Sequence, residues 1–349
     1  MEFNKTLIDW YSKHKRDLPW RRTKNPYYIW LSEIILQQTQ VKQGLPYYEA
    51  FVKQFPTVFD LANASEDAVL KLWQGLGYYS RARNLHTTAK LIAFERDGEF
   101  PNAYKDLLQL KGVGDYTASA IASIAFNEPA AVVDGNVYRV LSRYYGIETP
   151  INSAQGIKEF KALATTLIDQ KVPATFNQAI MEFGATQCKP KNPYCLVCPF
   201  SESCIALQKN QIHRLPVKLK KTKVKTKFFN FLVYIDNNMN TILEQRTEKG
   251  IWQNLYQFPL IESQRSLNVD EFHLLQTEDS KLLSKPFEYS LYNEKDIIHK
   301  LSHQHLHTKF WIIELEDIPA QAMPVSQLEK FPVPVLIGDF IKAFPFNSL

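Results

Sequence analysis

Two polar side chains among large apolar residues mark the first candidate site. Glu33 and Gln37 lie four residues apart in the stretch 31–41, which we predict to be one helix, so they share a face. Ile34 and Ile35 can seat that helix in a core. A carboxyl in such a dry pocket keeps its proton to higher pH, because burial raises its pKa. The pattern favours a general acid at Glu33 over an exposed glutamate on an amphipathic helix, the ordinary alternative.

A pair of glycines forms the second candidate feature. In the stretch 110–118, Gly112 and Gly114 flank one valine and are followed by a Thr-Ala helix start. Two glycines permit a tight turn and close backbone approach. The N-terminus of the following helix offers N–H groups to a phosphate. The alternative is an ordinary turn between two helices.

An aspartate stands at a similar helix start further along the chain. Asp134 follows an apolar run and precedes Gly135, at the beginning of another predicted helix. An acidic side chain in that position can cap the helix by accepting hydrogen bonds from its first N–H groups. The sequence therefore predicts at least an N-cap at Asp134.

The cysteines are confined to one short segment. Their spacing is C-x6-C-x2-C-x5-C within residues 188–204, and the rest of the chain has none. In a cytosolic chain such packing indicates a metal site more than disulfides. Four thiolates suit either zinc or a [4Fe–4S] cluster, and spacing alone does not separate the two. The predicted ligands are Cys188, Cys195, Cys198 and Cys204.

A further glycine turn lies between aromatic and basic residues in the stretch 71–85. Gly75 and Gly77 place an apolar residue at the tip of the turn. An exposed apolar tip beside aromatic and basic side chains can unstack a duplex, stack on bases and meet phosphates. A glycine turn with buried tyrosines is the alternative. The DNA-contacting residues in the first interpretation are Leu76, Tyr78, Arg81 and Arg83.

Length and composition indicate a globular chain of two domains. The 349 residues carry a net charge of +5 and are 45% hydrophobic, which suits a packed core and a polyanionic partner. No apolar run reaches transmembrane length, and the N-terminal segment has no signal-peptide core, so we predict a cytoplasmic protein, nucleoid-associated in a bacterium. The composition predicts a helical domain over 1–215, a basic linker over 216–227 and an α+β domain over 228–349. The linker lysines either contact DNA or are simply solvated.

Several motifs together resemble one family. They are L-P-W-R, S-E-I-I-L-Q-Q-T-Q-V, G-L-G-Y-Y-S-R-A-R-N-L, G-V-G-x-Y-T-A, D-G-N-V-x-R-V-L and the cysteine loop. The combination is similar to the adenine DNA glycosylase family, within the helix–hairpin–helix DNA glycosylase superfamily. The resemblance implies an all-α helix–hairpin–helix glycosylase domain with a [4Fe–4S] loop, followed by an α+β Nudix-like domain. It also favours the [4Fe–4S] cluster over zinc.

The same resemblance assigns catalytic roles. Glu33 would be the general acid, and Asp134 the carboxylate that stabilises or briefly bonds the sugar cation, which supplies the two carboxyl groups of glycosidic cleavage. Tyr116 stands where the sister endonuclease III family has a lysine that forms a Schiff base with the sugar. Without that amine, a monofunctional glycosylase is implied. Tyr116 and Asn136 would assist by hydrogen bonding.

The implied substrate is duplex DNA with adenine opposite 8-oxoguanine or guanine, bound by a monomer. Ser302 and His303 fall at the family's lesion-inspecting loop, with Leu301 in place of its phenylalanine, and the acidic helix of Nudix hydrolases is missing, so we expect a reader. His303, His305 and His307 alternate along a predicted strand, which leaves zinc as a minor alternative there. The remaining contacts implied are Trp20, Arg21, Leu36, Gln37, Val41, Gln178 and Met181 for adenine, and Gln38, Leu76 and Tyr78 for the lesion.

Two rival interpretations remain. One is a relative that removes thymine or oxidised pyrimidines, which Tyr116 and the second domain disfavour. The other is a non-catalytic iron–sulfur protein that uses the hairpin only to hold DNA, which the pairing of Glu33 with Asp134 disfavours.

Overall fold

The computed structural model describes residues 2–219, 224–275, 287–318 and 321–346. The chain divides into two compact units. The first comprises Met1–Asn63 and Asn84–Lys220, and the second comprises Ala64–Arg83 and Lys221–Leu349. The segment Ala64–Arg83 therefore belongs to the second unit, although the sequence placed it inside the helical domain.

Helices dominate the described chain up to residue 208. Most of them lie in the first unit, while α5 and the first residues of α6 belong to the second. They are α1 (Glu2–His14), α2 (Pro26–Leu36), α3 (Val41–Gln54), α4 (Val58–Asn63), α5 (Glu66–Trp73), α6 (Ser80–Glu95), α7 (Tyr104–Leu107), α8 (Asp115–Phe126), α9 (Gly135–Tyr145), α10 (Ala154–Leu167), α11 (Pro173–Thr186) and α12 (Ile205–Gln208).

The stretch 31–41 is not one helix, which corrects our prediction. Helix α2 ends at Leu36, because Gln37 leaves the helical region with ψ 116° and Gln38 takes a left-handed φ of 56°. The chain turns here, and Val41 begins the next helix. Gln37 is consequently the C-cap of α2 and not a residue of its interior.

The predicted hairpin forms between α7 and α8. Gly112 has a φ of 80°, and a Cβ added there would lie 2.8 Å from Asn84 Cβ, so only glycine fits this turn without strain. Gly114 is the N-cap of α8 and provides no side-chain hydrogen bond. The first turn of α8 therefore keeps N–H groups that can donate hydrogen bonds to a ligand.

The packing of four helices brings the candidate catalytic residues together. Helix α2 packs against α8, and α11 packs against α1, α8 and α9. Ala118, Ala120 and Ala122 on α8 are fully buried, and their small side chains let the neighbouring helices approach closely. As a result, the N-terminal ends of α8 and α9 face the part of α2 that carries Glu33.

The second unit is built on a mixed sheet. Its central strand β1 pairs in parallel with β8 and antiparallel with β5, and β8 also pairs antiparallel with β6 and β7. Phe340 of the last helix, α13 (Val335–Ala343), stacks on Phe310 with ring centroids 4.0 Å apart. The strands are β1 (Lys225–Asp236), β2 (Asn240–Thr241), β3 (Glu244–Gln245), β4 (Tyr256–Gln257), β5 (Leu260–Ser263), β6 (Glu288–Leu291), β7 (Ile297–Lys300), β8 (Gln304–Leu315) and β9 (Met323–Pro324).

Strand β1 begins at Lys225, inside the linker that the sequence predicted over 216–227. Residues 297–315 form a hairpin, because the chain turns between Lys300 and Gln304. Residues Val269–Leu275 form a 3-10 turn. Among the helices described, none is long and apolar enough to cross a membrane.

Candidate active site

A cleft of about 1060 Å³ opens in the first unit where α2, α8, α9 and α11 meet. Its walls include most of the residues that the sequence pointed to, from segments more than a hundred residues apart. The sequence-predicted residues that line it are Trp20, Arg21, Glu33, Leu36, Gln37, Gln38, Val41, Gly114, Tyr116, Asp134, Asn136, Gln178 and Met181.

Glu33 is the buried acid of this cleft, with 8% of its surface exposed. Burial raises the pKa of Glu33 to about 7, and the nearby Asp134 carboxyl raises it further. A hydrogen bond from Tyr116 and the charge of Arg21 act in the opposite direction. Near neutral pH, Glu33 therefore exists in both the protonated and the ionised form, which is the condition for an efficient proton donor and acceptor.

Tyr116 stands beside Glu33 as a neutral hydroxyl. Its oxygen lies 3.3 Å from Met181 Sδ and shares a hydrogen bond with the Glu33 carboxyl. Burial, followed by the charges of Glu33 and Asp134, raises the pKa of Tyr116 well above its ordinary value. The phenol therefore stays protonated and can donate a hydrogen bond.

Asp134 caps α9 as the sequence predicted. Its Oδ1 accepts hydrogen bonds from the backbone N–H groups of Asn136 at 2.9 Å and Val137 at 2.8 Å, and its Oδ2 accepts one from Asn136 Nδ2 at 2.7 Å. The pKa of Asp134 is raised, because burial outweighs these hydrogen bonds, which lower it. Three donors converge on one carboxylate, which fixes its direction and offsets part of the effect of burial on its charged form.

Glu182 is a site residue that our sequence analysis missed. Its side chain is fully buried on α11, with Oε1 2.6 Å from Arg16 Nε and Oε2 2.7 Å from Arg21 Nη1. Burial opposes ionisation of Glu182, but the two arginines outweigh it, and the pKa of Glu182 is lowered. Its position one turn after Gln178 was the available signal, because a charged residue on an apolar helix calls for a buried partner.

Arg139 is a second residue that the sequence analysis passed over. Its Nη2 donates to Asn136 Oδ1 at 2.8 Å and to the Gly184 carbonyl at 2.7 Å, while its Nε donates to the Cys188 carbonyl at 2.7 Å. One guanidinium thus joins the first turn of α9 to the end of α11 and to the cysteine loop. The spacing Asn136–Arg139, one helical turn, was the signal.

The cysteines line a separate pocket in the same unit. Arg143 Nη1 lies 3.4 Å from Cys188 Sγ. Burial raises the pKa of the Cys198 thiol to about 11, and the other three cysteines add to the rise. Across the described ranges, no three histidine, cysteine or acidic side chains converge closely enough to hold a single metal ion. The four thiols line one pocket together with apolar residues.

The turn at Gly75–Gly77 differs from our expectation in two respects. Leu76 is only 6% exposed, so the exposed apolar tip that we predicted is absent there, whereas Tyr78 is 47% exposed. Arg81 is 8% exposed, and its Nη2 donates to the carbonyls of Leu76 and Gly77 at 3.3 and 3.2 Å, so it supports the turn. Arg83 is half-buried, and its Nη1 donates to the Gln253 carbonyl at 2.8 Å.

Ser302 and His303 occupy the tight turn between β7 and β8. Both are exposed, and Ser302 Oγ lies 3.3 Å from His303 Nδ1. The strand alternation expected for His303, His305 and His307 is not observed, because His303 belongs to the turn. His307 Nδ1 instead lies 3.0 Å from Asp296 Oδ2.

Comparisons with known proteins agree with this architecture. Residues 31–164 match the HhH-GPD superfamily of base excision DNA repair proteins, and residues 230–343 match the NUDIX domain. A thermostable thymine-DNA glycosylase is 32% identical, with a TM-score of 0.55 over 60% of this chain and 96% of its own. Endonuclease III in a non-covalent DNA complex shares the fold at 21% identity, with a TM-score of 0.53 over 60% of this chain and 95% of its own. The fold and the cleft define a helix–hairpin–helix glycosylase of base excision repair.

The family within that superfamily follows from the relatives by sequence. An adenine DNA glycosylase of Buchnera aphidicola subsp. Baizongia pistaciae is 38% identical over 319 residues, which are 89% of this chain and 86% of the relative. The chain belongs to the adenine DNA glycosylase family, whose members hydrolyse N-glycosyl bonds.

Proposed function

We propose that this enzyme hydrolyses the N-glycosidic bond of adenine mispaired with 8-oxoguanine or guanine in duplex DNA, and that it leaves the strand uncut. The observation that carries the proposal is the cleft itself. Buried Glu33, with a pKa of about 7, lines it together with Asp134, which caps α9, and neutral Tyr116. An acid, a fixed carboxylate and a tyrosine at the position of the sister family's Schiff-base lysine suit hydrolysis and not strand cleavage.

The reaction begins with an adenine turned out of the helix into the cleft, which costs less for a mispair than for a matched pair. Glu33 donates its proton to N7 of the base. The C1′–N9 bond then breaks, and its electron pair leaves with the base. Glu33, now ionised, accepts a proton from water, whose oxygen bonds to C1′ and completes the hydrolysis.

Asp134 supports the cationic sugar during this step. Its carboxylate is fixed by the backbone of α9 and by Asn136, so it does not need to reorient when positive charge develops at C1′. The same hydrogen bonds lower its pKa and so oppose the larger effect of burial. This division suits Glu33 for proton transfer and Asp134 for electrostatic stabilisation or a brief bond to C1′.

The pocket for the base is formed by apolar walls with polar groups at fixed positions. Trp20 is 7% exposed and packs edge-on against Tyr48, with ring centroids 5.1 Å apart. Gln178 accepts a hydrogen bond from the Tyr11 hydroxyl at 2.9 Å, which leaves its amide N–H group as the donor for the base. Leu36, Val41 and Met181 complete the lining.

Two turns of the second unit are assigned to the lesion. The exposed ring of Tyr78 stacks into the duplex, and Ser302 with His303 inspects 8-oxoguanine. Gln38, exposed at the end of α2, approaches the same base. We expect the second unit to act as a reader and not as a hydrolase, because the sequence has no R-E-x-x-E-E motif of the kind that holds Mg²⁺ in Nudix hydrolases.

The cysteine loop binds a [4Fe–4S] cluster in this proposal. Four thiols around an apolar pocket suit a cluster, which takes one thiolate at each iron, better than zinc, which draws its thiolates to about 2.3 Å from one centre. The Arg143 guanidinium would offset the negative charge of the ligands. Cys188, Cys195, Cys198 and Cys204 would hold the cluster, which would close the loop when bound, and Arg139 connects that loop to the first turn of α9.

Single-turnover release of adenine tests the function. Duplexes with A opposite 8-oxoguanine, A opposite G and A opposite T should give fast release, slower release and none. Nicking should appear only after alkali. Glu33→Gln should abolish release while binding persists, with Glu49→Gln, an exposed glutamate on α3, as the matched control.

Two outcomes would contradict the proposed function. Release of thymine from a wider panel would favour the specificity named for the thymine-DNA glycosylase that this chain resembles in structure. Tight binding without release of any base would favour a non-catalytic iron–sulfur DNA-binding protein. A monomer on the duplex is expected in either assay.

A further inference from the structure

The segment Ala64–Arg83, which carries Tyr78, is bound to the rest of the second unit through side-chain contacts at its helix start. Glu66 Oε1 accepts a hydrogen bond from Asn254 Nδ2, and Asp67 Oδ2 accepts one from the Tyr256 hydroxyl at 3.3 Å. Both carboxylates lie in the first turn of α5, where Ser65 caps the helix. The N-terminus of α5 is thus held from one side.

The other end of the segment has its own contacts with the same unit. Lys71 Nζ donates to the Phe331 carbonyl at 3.1 Å, and Arg83 Nη1 donates to the Gln253 carbonyl at 2.8 Å. Gln74 Oε1 accepts a hydrogen bond from the backbone N–H of Val333 at 3.5 Å. Polar contacts therefore reach the segment before and after the turn that presents Tyr78.

The loop over residues 246–255, between β3 and β4, provides the contacts of Gln253 and Asn254 and is closed by its own hydrogen bonds. Trp252 and Asn254 take left-handed φ values of 59° and 65°, and Trp252 is 7% exposed. A bulky residue in this region is strained and persists only where its surroundings fix it. Two backbone hydrogen bonds between Arg246 and the Asn254–Leu255 pair, at 2.7 and 2.9 Å, close the loop. The loop is a preset support and not an adaptable surface.

The turn itself transmits the position of α5 to Tyr78. Trp73 Nε1 and Arg81 Nη2 both donate to the Gly77 carbonyl, at 3.0 and 3.2 Å. The Arg81 guanidinium lies 5.7 Å from the centre of the Tyr78 ring. The ring is exposed, yet the backbone beneath it is fixed on two sides. A displacement of α5 would therefore displace the ring with it.

We propose that Asn254 and Tyr256 are positioning residues that fix where Tyr78 enters the duplex, so that Tyr78 and the Ser302 turn meet the lesion as parts of one body. The inference rests on the proposed reading of 8-oxoguanine. In this proposal the second domain inspects the lesion directly through Ser302. It also controls the position of the turn that carries Tyr78, a motif that the sequence places within the glycosylase domain.

An exchange of donor and acceptor tests the hydrogen bond between Glu66 and Asn254. In Asn254→Asp two carboxylates face each other, so α5 should shift. The preference for A opposite 8-oxoguanine over A opposite G should fall about tenfold, as expected for the loss of a hydrogen bond to a charged group. In the double variant Glu66→Gln with Asn254→Asp the donor and acceptor are exchanged, and the preference should return. Tyr256→Phe should give a smaller loss.

A stacking readout separates positioning from general damage. A fluorescent purine analogue beside the lesion reports insertion of an aromatic ring, and its signal should change in Asn254→Asp as in Tyr78→Ala, then return in the double variant. Asn237→Ala, an exposed asparagine of the same unit, is the matched control. Thermal unfolding confirms that each variant is folded.

The outcomes distinguish two failures. If the parent enzyme shows no preference for 8-oxoguanine, the proposed function fails. If the parent enzyme shows the preference and Tyr78→Ala lowers it, but Asn254→Asp leaves preference and fluorescence unchanged, the positioning role is overturned. A loss in Asn254→Asp that the double variant does not restore also overturns it, because the pairing would then not be the cause.

Discussion

Arg21 Nη1 lies 2.7 Å from Oε2 of Glu182, whose side chain is fully buried. The same carboxylate also accepts hydrogen bonds from Arg16, from Nε at 2.6 Å and from Nη2 at 3.0 Å. Arg21 in turn lowers the pKa of Glu33 through its charge. Glu182 therefore fixes the cation that faces the general acid, although it takes no part in the proton transfer.

Replacing Glu182 by Gln should damage both stability and catalysis. Removing one partner of a buried ion pair lowers the free energy of unfolding by about 3 kcal/mol. The loss here should be somewhat less, because the Arg16 side chain is 39% exposed. Displacement of Arg21 should slow adenine release about tenfold to a hundredfold. Chemical denaturation and single-turnover kinetics measure the two effects. Asp17→Asn, which breaks the exposed pair with Arg22, is the control and should change neither. Wild-type behaviour of Glu182→Gln would exclude the role.

Adenine release should fall as pH rises through about 7. The proton of Glu33 is needed for the first step, and its pKa is raised from 4.5 to about 7. Above that pH the rate should drop about tenfold for each further unit, because only the protonated fraction reacts. The pKa of Glu33 is higher in the folded than in the unfolded chain, so its contribution to the free energy of unfolding is complete below pH 4.5. That contribution is lost as the pH rises to about 7.

The matched measurement is the same pair of profiles in Glu33→Gln. This variant should lack the stability change with pH in that window, and residual excision, where detectable, should no longer follow it. A wild-type rate that stays constant from pH 6 to 9 would assign the acid to another group.

Tyr116→Lys tests the absence of a Schiff-base nucleophile. The lysine would replace a hydroxyl that hydrogen bonds with Glu33 and lies against Met181, so hydrolysis should slow markedly. Some strand nicking without alkali should appear, and borohydride should trap the chain on DNA. Tyr116→Phe separates the lost hydroxyl from the new amine and should slow hydrolysis without any nicking or trapping. If the lysine variant also shows neither, the amine cannot reach C1′ in this cleft.

Cys198→Ser tests the proposed cluster. The thiol is half-buried in the loop pocket, and its replacement should reduce bound iron and sulfide and weaken the attachment of the loop to Arg139. Metal analysis together with thermal unfolding of the purified chain measures both. Ser203→Ala, an exposed residue of the same loop, should retain the full iron content. Zinc in place of iron and sulfide in the parent protein would contradict the cluster.

Local patterns predicted local structure well. The cap at Asp134 and the glycine hairpin at Gly112 followed from residue types, because each depends on neighbours within four residues. The helix across 31–41 was predicted wrongly. Apolar periodicity continues through Leu36 and Val41, whereas the break comes from the backbone angles of Gln37 and Gln38, for which the sequence offers no glycine or proline signal.

Residue type and spacing alone determined the two-domain order, the candidate acid, the capping aspartate and the cysteine ligand set, since each is written in a short segment. Only the tertiary structure decided the surroundings of those residues. It placed Glu182 under Arg21, buried Leu76 and Arg81 while leaving Tyr78 exposed, and joined Ala64–Arg83 to the second unit. Burial and charge pairing depend on segments far apart in the chain, which no local pattern shows. The pKa of Glu33, for example, is set by its burial together with Tyr116, Asp134 and Arg21.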